Sequence, residues 1–116
     1  MTMLTIDSLR AFGANVEEGM GRCMGREDFY LRLVKMARAD SNIDKLRQAI
    51  AANDLDKAFE AAHALKGVTA NLALVPLLKP VSEMTELLRA RTDMDYQPLM
   101  NDVDMAWNAF TAIVDG

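Results

Sequence analysis

The stretch Leu55-Asp56-Lys57-Ala58-Phe59-Glu60-Ala61-Ala62-His63-Ala64-Leu65-Lys66-Gly67-Val68-Thr69-Ala70-Asn71-Leu72 holds no proline and five alanines, so its intrinsic preference is helical. At roughly 100° per residue, Leu55, Ala58, Ala62, Thr69 and Leu72 gather toward the side on which Leu65 sits. His63 lies about 160° around the helix from Leu65, which puts it on or near the solvent face. Residues three and four apart meet on a helix surface. Phe59 and Gly67 therefore flank His63 one turn away on either side, and Glu60 and Lys66 are its three-residue neighbours.

Upstream, Asn53-Asp54 separates this helix from the one before it, with Asn53 expected as N-cap and Asp56 placing negative charge in the first turn. The preceding helix is predicted from Ser41, which has Asp44 three residues on, to about Ala52, with Ile43, Leu46 and Ile50 as its apolar stripe. Before that, Arg26 to Ala39 carries Phe29, Leu33, Met36 and Ala37, joined by Tyr30 and Val34, at three- and four-residue steps. A short leading helix is expected around Thr5 to Phe12 and a second near Val16 to Met24. Downstream, Pro76 and Pro80 place the next helix start between Val75 and Lys79, since proline is tolerated mainly in a first turn. That helix runs to about Ala90, with Leu77, Val81, Met84, Leu87 and Leu88 inward. After a polar link from Arg91 to Asp95, the stripe Leu99, Val103, Ala106, Trp107, Phe110, Ile113 and Val114 marks a closing helix. Short connections favour antiparallel neighbours, so the expected fold is all-α: an antiparallel up-down four-helix bundle with short accessory helices at the N-terminus.

The whole-chain numbers agree. At 116 residues and 51% apolar content, residues 1–116 are expected to form one domain around one core. Nine methionines against three prolines and six glycines favour helix over strand. A formal net charge of -4 argues against nucleic acid, whose backbone is bound by clustered Lys and Arg. The lone Cys23 allows no intramolecular disulfide, which favours the cytoplasm. Met1 to Arg10 has Asp7 where a signal peptide needs a continuous apolar stretch, and no run is long enough to cross a bilayer. No partner role for a membrane is expected.

The chemistry concentrates at His63, the single histidine. Gly67 conflicts with local preference, because glycine in a helix interior costs about 1 kcal/mol relative to alanine. A departure of this kind marks a functional position, and the gain here is access: another protein's loop can approach the imidazole over a patch with no side chain. Histidine is partly neutral near pH 7, so its ring can attack an acyl phosphate. Phosphoryl transfer is mostly positioning and charge stabilisation. Lys66, one turn away, is placed to pair with the phosphate oxygens.

His63-Ala64-Leu65-Lys66-Gly67, followed by Asn71-Leu72, resembles the signature of histidine-containing phosphotransfer (HPt) domains, His-x-Leu-Lys-Gly on the second helix of a four-helix bundle. The helix layout extends the likeness over about the whole chain, while the central motif is the diagnostic part. The resemblance implies that His63 is phosphorylated, that Lys66 steadies the phosphoryl group, and that Gly67 clears a docking surface to which Phe59, Glu60 and Ala70 contribute. It implies partners as well: the receiver domain of a response regulator, a hybrid histidine kinase, or both. It further implies a phosphoryl carrier without kinase activity of its own, needing no cofactor. Where the family commonly has small Ser or Gly residues, this chain has Val68, Ala70 and Ala73. Several members orient the imidazole with a glutamine on the next helix; the nearest polar candidates here are Thr85 and Glu86.

Other residues read more plainly. With no second histidine and no ligand spacing around Cys23, no metal site is expected. Gly19, Gly21 and Gly25 lack the Gly-Lys-Ser/Thr and the preceding strand of a phosphate cradle and mark a loop or helix junction. Trp107 and the methionines are expected in the core, and Glu83, Glu86, Arg89 and Arg91 on a solvated face. The competing function is a helical adaptor that binds a receiver or kinase without accepting phosphate.

Overall fold

The structure is a computed structural model describing residues 4–116; Met1 to Met3, part of the stretch read against a signal peptide, lie outside the described residues. Seven helices follow in order: α1 (Ile6–Phe12), α2 (Val16–Arg22), α3 (Glu27–Arg38), α4 (Asn42–Ala51), α5 (Leu55–Asn71), α6 (Val75–Arg89) and α7 (Gln97–Asp115). No strand occurs among the described residues. The last four form the antiparallel bundle, in which α5 packs between α4 and α6, α6 meets α7, and α7 returns to α4. The first three helices cover one side: α1 and α3 lie on α7, and α2 touches both α1 and α3.

The core is the sum of one stripe from each helix. Leu46, Leu65, Leu74, Leu77, Met84, Met100 and Phe110 are among its fully enclosed side chains. No buried side-chain nitrogen or oxygen among the described residues lacks a hydrogen-bond partner. The two buried polar residues are threonines that donate to their own helices, Thr69 to the Leu65 carbonyl at 2.8 Å and Thr85 to the Val81 carbonyl at 2.7 Å.

Each bundle corner is built the same way. Asn53, Ala73 and Arg91 take left-handed φ of 54°, 55° and 53°. The next backbone N–H then turns back to the helix it has left: Asp54 to the Ala49 carbonyl, Leu74 to Thr69 and Thr92 to Leu87. This closes the orphan carbonyls of a helix end without a glycine. Because Asn53 is spent on the turn, the N-cap of α5 is Asp54, whose carboxylate accepts from the Lys57 N–H at 3.2 Å. At α4, Ser41 makes no capping bond; Asp40 accepts from the Asn42 N–H at 2.8 Å instead. Pro76 sits in the first turn of α6 as expected, but the helix continues through Pro80.

Two inward faces differ from the sequence expectation. On α3 the buried line is Tyr30, Val34 and Ala37, while Met36 is 62% exposed and Phe29 37%. The reason is Tyr30, whose hydroxyl donates to the Leu72 carbonyl at 2.8 Å and so turns that edge of α3 inward. On α7 the enclosed residues are Met100, Val103, Trp107 and Phe110, with Leu99, Ala106, Ile113 and Val114 only packed at the margin. The methionines divide: Met84 and Met100 are core, whereas Met24, Met36 and Met105 face outward.

The N-terminal segment is tied to the far end of α5. The Asn15 N–H donates to the Ala73 carbonyl at 2.9 Å, Tyr30 holds Leu72, and the Arg22 guanidinium donates to the Ala70 carbonyl. Gly19 makes this possible. A Cβ there would lie 2.5 Å from Tyr30 Cε1 and 2.9 Å from the Leu72 carbonyl oxygen.

Candidate functional site

His63 is exposed on the outer face of α5, opposite the buried residues Ala58, Ala61, Ala62, Leu65 and Thr69. This is the side that a 3.6-residue period assigns to it. Among the described residues the imidazole accepts and donates no hydrogen bond. Its neighbour is the Phe59 ring, stacked at 5.6 Å between centroids and 9° between planes. That ring is covered in turn by the Arg89 guanidinium, 5.1 Å from its centroid, a cation over a π-face. The ring's position is thus set by an aromatic platform rather than by a polar partner.

Gly67 lies one turn beyond His63, and a Cβ built on it would meet nothing within 4 Å. The glycine therefore relieves no crowding inside this chain; it leaves an open notch beside the imidazole. Lys66 is half-buried, and its Nζ is 2.9 Å from Glu86 Oε1 on α6. The other Glu86 oxygen, Oε2, lies 3.2 Å from Arg89 Nε. The ammonium of Lys66 chiefly, and the Arg89 guanidinium after it, hold the Glu86 carboxyl below the usual carboxylate range.

The other residues proposed for docking line up with this face. Glu60 is exposed, Phe59 and Ala70 are half-buried, and all three share the outer side of α5 with His63. Thr85 does not approach the ring, since it is buried and bonded to Val81. Glu86 is close to the site but occupied by its two cations.

Sequence reading missed two features. Glu86 and Arg89 were expected on a solvated face; their three-residue spacing shows the pair, but nothing in linear order shows that Lys66 joins it across helices. The second is a shallow groove between α3 and α5, lined by Leu33, Met36, Val68 and Asn71 among others. Its signal was the excess of apolar residues on α3, more than one buried line can absorb. Among the described residues no group of three or more His, Cys, Asp or Glu could hold a metal ion, and no helix is long and apolar enough to cross a membrane. Cys23 is buried as a free thiol.

A four-helix bundle presenting a lone imidazole, an ammonium one turn away and a bare notch beside them has the layout of a phosphoryl-carrying module. Residues 33–113 match the model of the Hpt domain, and the chain belongs to that family. It is thereby a phosphotransfer module of phosphorelay signalling, from a family of phosphocarriers rather than kinases that interacts with receiver and kinase domains. Neither the comparison with curated proteins nor that with solved structures yields a match.

Proposed function

We propose that His63 accepts a phosphoryl group from the aspartyl phosphate of a receiver domain and returns it to another. The unprotonated ring nitrogen attacks phosphorus, an N–P bond forms, the P–O bond to the aspartyl carboxylate breaks, and the carboxylate leaves. The proton on the other ring nitrogen passes to water, so charge and atoms balance. Lys66 pairs with the phosphoryl oxygens as charge shifts between donor and acceptor. Gly67, with Phe59, Glu60 and Ala70 around it, is the surface on which the receiver settles. The chain has no kinase activity of its own, and residues 1–116 work as one domain in the cytoplasm.

The observation that carries this reading is the exposed His63 with Lys66 on the next turn and open space at Gly67. The test is to mix the protein with a radiolabelled phosphorylated receiver. Wild type is expected to gain an acid-labile, base-stable label on His63, and His63→Gln none while keeping its melting temperature. Label on the His63→Gln chain, or receiver binding by wild type with no label at all, overturns the proposal; the second result would make the protein an adaptor.

A further inference from the structure

Two cations near the His63 turn are already engaged: Lys66, three residues on, and Arg89, over the Phe59 ring. Lys66 and Arg89 grip opposite oxygens of one carboxylate, Glu86, at 2.9 and 3.2 Å. All three are at least partly open to water, so these contacts can exchange on the timescale of side-chain motion. Arg89 also lies on the face of the ring that stacks on His63. A phosphoryl group on His63 brings nearly two negative charges and three strong acceptor oxygens into the same space. Such a group pairs with ammonium and guanidinium cations of this kind.

We propose that Glu86 is a positioning residue that stands in for the phosphoryl group: it holds Lys66 and Arg89 beside the unmodified His63 and yields them when His63 is phosphorylated. The inference rests on the phosphoryl-carrier reading above. Its consequence is thermodynamic. Breaking the Glu86 contacts is part of every loading of His63, so Glu86 lowers the affinity of the site for phosphate and favours onward donation.

The test is the equilibrium between phosphorylated receiver and phosphorylated carrier, read by the distribution of label after both directions of transfer have levelled. Glu86→Gln keeps the side chain's shape and frees both cations, and it is expected to shift the label toward His63 roughly threefold to tenfold, the range for losing two exposed ion pairs. In a Lys66→Met/Arg89→Met background the same substitution should change the distribution less than twofold, because there is nothing left to release. Melting temperatures of all four chains check that each is folded. An unchanged or lowered share of label on Glu86→Gln overturns the proposal. So does a full shift that persists in the double-substituted background, which would mean simple repulsion between carboxylate and phosphoryl group. Wild type that takes no label, from the receiver or from phosphoramidate, removes the carrier reading and this inference with it. Wild type that takes label with no effect of Glu86→Gln removes the inference alone.

Discussion

Replacing Gly67 separates what helix physics prefers from what docking requires. The position is in the interior of α5, and a Cβ there touches nothing. Gly67→Ala should therefore gain close to the full propensity difference, about 0.8–1 kcal/mol. With unfolding entropy near 2.1 cal/mol/K per residue, a chain of this size should melt about 4 °C higher. Gly67→Gln should give nearly the same rise, because glutamine is also a good helix former. Transfer should move the opposite way. The longer side chain fills the notch beside His63, and transfer from a phosphorylated receiver is expected to fall about tenfold or more, the effect of losing roughly 1.4 kcal/mol of docking free energy. The assay pairs a thermal melt with the initial rate of label transfer, Gly67→Ala serving as the smaller step in the same direction. A Gly67→Gln chain that transfers at the wild-type rate would refute the access argument. A lower melting temperature in either variant would refute the packing argument instead, by placing hidden contacts at a position read as open.

The opposite sign is expected at Gly19: the same change to alanine should destabilise by about 1–3 kcal/mol despite better propensity, because the new methyl collides with Tyr30 and the Leu72 carbonyl. Denaturant titration measures it. Tyr30 has its phenol pushed up to about 12, first by burial and then by the nearby Cys23 and Glu17. Its folded value exceeds the ordinary value of 10, so its contribution is complete below pH 10 and is lost as pH rises toward 12. Melts across that window should show a fall that Tyr30→Phe makes shallower, while Tyr30→Phe loses about 1–2 kcal/mol at neutral pH through the undonated Leu72 carbonyl.

The helices were legible because period and propensity agree in the same segments. Leu55 to Leu72 showed an apolar side and an outward His63, and α5 has both. The corners were harder. Helix ends are usually announced by glycine, yet Asn53, Ala73 and Arg91 make the left-handed turns here, so the N-cap of α5 was set one residue early. The face of α3 was ambiguous because it has two apolar lines, and a hydrogen bond to Leu72, 42 residues away, chooses between them. The same limit applies at the site. His63, Lys66 and Gly67 lie within one turn and a half of a single helix, where spacing is informative. Glu86 and Arg89 reach them from α6, and only the packing of two helices brings the five together.

The bonds from Asn15, Arg22 and Tyr30 onto the carbonyls of Ala73, Ala70 and Leu72 have a practical meaning for anyone trimming the molecule. The Hpt match begins at residue 33, after all three donors. A fragment cut to the matched region would leave the α5–α6 corner without its outside support, and the helix that carries His63 would fray from its C-terminal end. Similarity begins at residue 33; the bonds that brace this end of α5 begin at Asn15.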